Sequence, residues 1–280
     1  MFSSWKDQKL ADIPLPLGLT GSEKLPKTRS TLVNCFNANG IIIGRPGITQ
    51  LNTTSLVARG QFVWNDSLYQ VVSTSLIKIT NTTTGAYSVI GTIAGTDDID
   101  TDIGFNHAVI VVKASDGKGY TLTADDTLTE IVDSDFVASR SVTHINGRFV
   151  YIPFDGDPAF YSDVGAGQTI QTASFFDAEE LPDKNKVNFN FGNILYIGGT
   201  DSFELFRDVG TGSSILPFSR LNARINYGFV GGLLEYKDTF LFIGREKGQG
   251  VGIYAIGQGI APKLSNEAID VILASYTLTE

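Results

Sequence analysis

The chain has 280 residues, 42% of them hydrophobic, and a formal net charge of −9. That is enough for a sizeable core in one or two domains, and closed β architectures often use as much chain as one. The acidic balance argues against a protein that grips nucleic acid through its phosphates, though not against a surface that DNA passes. No run approaches the roughly 18 apolar residues that span a bilayer.

Thirty Gly, 10 Tyr and 18 Phe, with many Thr, Val and Ile, favour strand over helix. Cys35 is the only cysteine, so no intrachain disulfide can form and synthesis in a reducing compartment is expected. The start, MFSSWKDQKLADIPLP, has no apolar core of a secretory signal.

Residues 1–31 carry charges, Pro14, Pro16 and Pro26 but little periodicity, which predicts an extended N-terminal arm before a body over 32–280. From Leu32 to Leu51 the turn dipeptide Asn39-Gly40 precedes a strand at Ile41–Ile43. Arg45-Pro46-Gly47 then bends the chain towards another short strand. Gly60 to Gly91 reads as four short strands: Gln61–Trp64, Leu68–Val72, Leu76–Ile79 and Tyr87–Ile90.

Similar units follow. Their second strands start at Leu68, Ala108, Arg148, Ile194 and Phe240, a repeat of about 40–46 residues. A turn signal precedes each: Asn65-Asp66, Asn106-His107, Asn146-Gly147, Gly192-Asn193 and Lys237-Asp238. Ser141 to Asp163 shows the unit plainly, with strands parted by Asn146-Gly147 and by Asp155-Gly156-Asp157-Pro158. An all-β sandwich also uses short strands at such spacing, but recurrence over five units favours a β-propeller of four-stranded antiparallel blades. Leu264 to Ala274 has helical spacing behind a Ser-Asn cap signal, with Ala268, Ile269, Ile272 and Leu273 on one face. About five blades are recognisable, and the expectation is an incomplete propeller with further C-terminal blades outside this chain.

Chemistry-bearing motifs are sparse. His107 and His144 each sit beside a predicted turn, with no Gly-x-Ser-x-Gly elbow to suggest a triad. One Cys and two His so far apart do not make a structural zinc site. Asp155-Gly156-Asp157 and the run Asp97 to Asp102 lack the calcium-loop pattern and read as solvated turns. Gly248 to Gly252 lies between strands with no helix behind it, so it reads as a hairpin tip rather than a phosphate cradle. The Asn-x-Ser/Thr triplets at Asn52, Asn65 and Asn81 carry no weight without a secretory signal. The sequence nominates no catalytic, cofactor-binding or metal-ligating residue.

A set of short motifs in order carries a resemblance: Val33-Asn34, Gly44-Arg45-Pro46-Gly47-Ile48, Arg59-Gly60, Gly147-Arg148-Phe149, Ser202-Phe203-Glu204-Leu205-Phe206 with Gly210, Ile256-Gly257-Gln258-Gly259 and the Ala268-Ile269 helix. From about Val33 to Tyr276 the chain resembles the packaged-DNA stabilisation proteins of short-tailed bacteriophages, tail accessory factors that form a hub or nozzle. The resemblance implies a propeller-like body, in a ring below the portal, that closes the DNA channel and retains packaged DNA. Implied partners are the portal or head-to-tail adaptor, the tail needle, tailspike or fibre proteins, and copies of the chain itself. DNA would pass without sequence-specific binding, and no cofactor or small-molecule substrate is implied. Implied location is the virion tail, after assembly in the host bacterial cytoplasm. The long C-terminal portion expected of that family is not present here. The rival reading is a glycan-acting propeller hydrolase or lyase, with Asp102, Arg140 and Arg224 near the starts of inner strands.

Overall fold

The structure, a computed structural model, describes residues 35–38, 41–44, 57–177, 183–210, 217–236, 239–246, 250–257 and 262–276. The chain divides into two units, Met1–Gln50 and Leu51–Glu280. In the first, β1 (Cys35–Ala38) pairs antiparallel with β2 (Ile41–Gly44). The second of these is the expected Ile41–Ile43 strand. The arm over 1–31, the Asn39-Gly40 turn and the bend at Arg45-Pro46-Gly47 lie outside the described residues.

The second unit is a succession of antiparallel sheets in chain order. Blade 1 holds β3 (Ala58–Trp64), β4 (Ser67–Val72), β5 (Ser75–Asn81) and β6 (Ala86–Thr92). Blade 2 holds β7 (Ile99–Ile103), β8 (His107–Val112), β9 (Gly119–Thr123) and β10 (Leu128–Glu130). Blade 3 holds β11 (Ser139–Ile145), β12 (Arg148–Pro153), β13 (Ala159–Asp163) and β14 (Ala166–Phe176). Blade 4 holds β15 (Asn185–Phe191), β16 (Ile194–Gly199), β17 (Phe203–Asp208) and β18 (Phe218–Ile225). Blade 5 holds β19 (Gly228–Tyr236), β20 (Thr239–Arg245) and β21 (Val251–Ile256). Among the described residues, an isolated bridge and a few backbone bonds stand in the place of its fourth strand. Leu264 N donates to Ile253 O, Ala255 N donates to Pro262 O, and Tyr254 bridges Lys263. The blades stand in a ring, a β-propeller, and all five expected second strands are the second strands of their blades.

Turn chemistry explains the hairpins between first and second strands. Asn65 and Asp66 have φ of 47° and 53°, Asn146 and Gly147 48° and 85°, Gly192 and Asn193 59° and 63°. Positive φ at both central positions matches the twist of the flanking strands, and Asn, Asp and Gly tolerate it best. Blade 2 departs from the expectation: the turn falls one residue earlier, at Phe105-Asn106, where Gly104 N donates to His107 O across it and His107 opens β8. Lys237-Asp238 lies outside the described residues.

Each consecutive pair of blades shares a buried apolar seam. Phe62, Tyr69 and Leu76 of blade 1 meet Ala108, Ile110 and Leu122 of blade 2. Val109 and Val111 of blade 2 meet Phe149 and Tyr151 of blade 3. Val150, Ile152 and Tyr161 then meet Leu195, Ile197 and Phe206. Phe189, Phe203 and Leu205 of blade 4 finally meet Phe240 and Phe242 of blade 5. Alternate residues of one strand thus serve seams on opposite sides of the blade, as Val109 and Ile110 show, which is the period-2 rule in use.

The helix α1 (Glu267–Ser275) starts where the cap signal placed it, with Ile269 N donating to Asn266 Oδ1 at 3.1 Å. Its expected apolar face is not buried. Ile272 is 56% exposed and Ile269 is also exposed, while Leu273 is half-buried. The side chain of Ala268 lies outside the described residues.

Candidate functional site

The inner strands β7, β11, β15 and β19 surround a cavity of about 1190 Å³. Its wall carries Asp97, Asp98, Asp100, Asp102 and Glu235 together with Lys113, Arg140 and Lys186. Asp100 and Asp102 are two residues apart on one strand, so both side chains leave the same face of β7. That face looks at β11.

There Ser141 Oγ and Val142 N donate to Asp100 Oδ2 at 2.8 and 3.0 Å. Thr143 Oγ1 and His144 N donate to Asp102 Oδ2 at 2.9 and 2.6 Å. The pattern continues one blade on. Asn188 N donates to Ser141 Oγ at 3.2 Å, Asn188 Nδ2 to Val150 O at 2.9 Å, and Asn190 Nδ2 to His144 O at 3.1 Å. Three inner strands are therefore stitched by short polar side chains at positions i and i+2. A sheet's first strand has an open hydrogen-bonding edge, and these side chains satisfy the neighbouring edge without pairing it.

The run from Asp97 to Asp102 is thus only partly the solvated turn expected of it. Asp97 and Asp98 precede the strand, whereas Asp100 and Asp102 are structural acceptors. Asp102 and Arg140 do share the cavity, with the Arg140 guanidinium 4.8 Å above the Phe154 ring. Arg224 is elsewhere, on the outer strand β18, where its Nε donates to Asn226 Oδ1. The trio of the glycan-enzyme reading is not assembled. Among the described residues no group of three or more His, Cys, Asp or Glu is placed to hold a metal ion. No described helix is long and apolar enough to cross a membrane.

A family model described as Bacteriophage P22 Gp10, beta-propeller, matches residues 23–280. The chain belongs to that family. The tail hub protein gp10 of Salmonella phage P22 is 22% identical over 261 residues, which is 88% of this chain and 53% of the relative. The chain therefore spans about half the length of that curated relative. The extracellular domain of the putative hybrid two component system BT4673 from B. thetaiotaomicron matches in fold, with a TM-score of 0.50 at 10% identity. That match covers 74% of this chain and 27% of the other. The computationally designed Ika8 protein has a TM-score of 0.45 at 13% identity, over 74% and 61% of the two chains.

Three of the motifs that carried the Gp10-family resemblance have structural work, whereas Val33-Asn34, Arg45 to Ile48 and Gln258-Gly259 lie outside the described residues. Arg59 is 3% exposed, and its guanidinium reaches four backbone carbonyls. Nε donates to Asp97 O at 2.6 Å, Nη1 to Ser73 O and Ile93 O at 2.9 and 3.0 Å, and Nη2 to Ala94 O at 3.0 Å. It fastens blade 1 to the connection that leads into blade 2. Arg148 is also buried, with Nη1 on Ser162 O at 2.9 Å and its guanidinium over the Tyr161 ring. In the 202–206 motif, Ser202 N donates to the buried Asp183 at 2.9 Å, and Glu204 pairs with Arg220 at 2.9 Å.

The histidines differ from the simple turn residues expected. His107 is 6% exposed, and its Nε2 accepts from Gly167 N at 3.0 Å in blade 3. His107 and His144 both pack on Phe149, each with ring centroids 5.1 Å away. No local sequence signal points to this contact, because the Gly167 amide is 60 residues along the chain.

Burial holds both imidazoles below the ordinary histidine range. For His107 the charge of His144 adds to this, and for His144 the Asp102 carboxylate opposes it. The unfolded chain therefore binds more protons than the folded one below about pH 6.5, so stability falls as pH drops through that value. Asp102 acts in the opposite sense at lower pH, because burial raises its carboxyl against the hydrogen bonds from His144 N, Ile103 N and Thr143. Its contribution is present in acid and lost as pH rises through the raised value. Urea midpoints should therefore climb between about pH 5 and 7.5, and replacing both histidines with Gln should flatten the climb. An unchanged slope in the double variant would contradict burial of neutral imidazoles.

Proposed function

We propose that this chain is a structural part of a phage tail, one subunit of a hub-like ring beneath the portal that helps retain packaged DNA. Membership of the P22 Gp10 family over residues 23–280 carries the reading. The curated tail hub relative supports it, although the overlap is only about half of that protein. The fold agrees in kind. A propeller is a rigid platform whose loops present contacts, and here the inner-strand carboxylates Asp100 and Asp102 are spent on holding blades together.

Contacts with the portal or adaptor, with needle or spike proteins and with neighbouring copies fall to exposed blade loops and to the segment before Leu32. Phe105, 88% exposed at the β7–β8 turn, is the kind of residue such a contact covers. The net charge of −9 suits a surface that DNA passes without adhering. Assembly takes place in the host bacterial cytoplasm, and the finished protein resides in the virion. Each subunit contact can be modest, because several simultaneous contacts reinforce one another through local concentration.

The test mixes purified chain with cognate portal assemblies and counts bound copies by native mass spectrometry or imaging. Saturable binding in a fixed symmetric number is expected, with mostly monomeric chain in dilute solution. Absence of binding by folded chain would overturn the hub assignment. Depolymerisation of a glycan panel at an enzymatic rate would favour the rival class.

A further inference from the structure

We propose that His107 is an acid-sensitive latch between the second and third blades, closed while its imidazole accepts the Gly167 amide hydrogen and opened by a proton at Nε2. The geometry assigns both nitrogens. Nδ1 lies 2.8 Å from Asn106 Oδ1, so the ring hydrogen sits there and donates to that oxygen. Nε2 is left with its lone pair facing Gly167 N–H at 3.0 Å. An imidazolium carries hydrogens on both nitrogens and accepts at neither. Adding a proton from solvent therefore sets two N–H groups against each other at one contact.

The contact has no room to adjust. A Cβ on Gly167 would lie 2.7 Å from His107 Nε2, 2.7 Å from Val109 and 2.9 Å from Phe149. The same residue is held on its other side, where Tyr151 OH donates to Gly167 O. Gly165 N donates to Gly147 O, so the β13–β14 hairpin is tied to the β11–β12 hairpin as well. Releasing the His107 bond frees the start of β14 from β8 and leaves the rest of blade 3 paired. Phe105 and Val164, both exposed, flank this corner, so a partner seated on it would feel the release.

The titratable surroundings are few. On β11 stands His144, whose own positive charge would oppose a proton on His107. On β7 the Asp102 carboxylate faces His144 and favours its protonation. On β12 Tyr151 stays un-ionised, since burial raises its hydroxyl. On β9 the residue opposite His107 is the uncharged Thr123, whose hydroxyl bonds Asp125. No carboxylate bonds the His107 ring directly: its two nitrogens are occupied by Asn106 and Gly167.

The test uses the whole chain, nitrogen-15 spectra of the imidazoles and amide exchange at Gly167. At pH 7.5 the His107 spectrum should show hydrogen on Nδ1 and a bare, hydrogen-bonded Nε2. Between about pH 7.5 and 5.5, exchange at Gly167, corrected for its intrinsic rate, should rise several-fold, up to the ceiling of about tenfold that one imidazole sets. His107→Gln retains an acceptor without a titratable group and should hold the change to less than about twofold. His144→Gln should retain the response, and His107→Phe should leave Gly167 exchanging fast at both pH values. Hydrogen on Nε2 at neutral pH would overturn the proposal. An equal pH response in wild type and His107→Gln would overturn it too. Neither readout depends on portal binding, so a failure here is separable from a failure of the hub reading.

Discussion

Replacing Arg59 with Ala should destabilise the body by about 3–5 kcal/mol, measured as the shift in urea-unfolding free energy. Four backbone carbonyls, from Ser73, Ile93, Ala94 and Asp97, lose their donor at once. Each unsatisfied buried acceptor costs on the order of 1–3 kcal/mol, and some recover water because part of the site is open to solvent. That recovery keeps the total below a simple sum. Arg59→Lys should recover only part of the loss. A compact ammonium lacks the planar fork that reaches four oxygens spread over two connections. The midpoint should fall for both variants while the denaturant slope stays constant, since the same surface is exposed on unfolding. A loss below about 1 kcal/mol in Arg59→Ala would mean that water replaces the guanidinium freely.

Phe203→Ala should cost about as much, roughly 3–5 kcal/mol, by a different route. Phe203 is fully buried in the seam between blades 4 and 5, with ring centroids 5.0 Å from Phe242 and 6.1 Å from Phe189. Truncation leaves a cavity lined by aromatic rings and by strands paired on both sides, which have little freedom to collapse. Phe203→Leu should cost distinctly less, since most of the volume remains. Because the seam joins two blades, the Ala variant should also speed amide exchange in β20 before that in β8, which lies in a different pair of seams. Uniform acceleration throughout the body would instead show that the propeller unfolds as one unit.

Much of the architecture was legible because it is local. A strand's two-residue period and a hairpin's need for positive φ leave marks within a few residues. Leu68, Ala108, Arg148, Ile194 and Phe240 therefore announced their blades, and Asn266 announced the helix cap. Asn106-His107 misled for the same reason. The dipeptide resembles its counterparts, yet the turn ends before His107, whose side chain has a distant partner.

The inner-strand ladder lay between these cases. Asp100 and Asp102, Ser141 and Thr143, and Asn188 and Asn190 share the same i, i+2 spacing in successive units, a pattern visible in the residues but unreadable without knowing which faces meet. Run together with their neighbours, the two aspartates looked like a solvated turn.

The sequence by itself determined the repeat, the strand periodicity and the turns, since each follows from sterics and side-chain alternation over a few residues. Only the tertiary structure decided which polar groups are consumed. Asp102 meets Thr143 and His144, Arg59 meets four carbonyls, and His107 meets Gly167, across separations of 14 to 60 residues. Desolvation and hydrogen-bond geometry act on distance in space, and a chain that folds into a ring brings together groups its sequence holds apart.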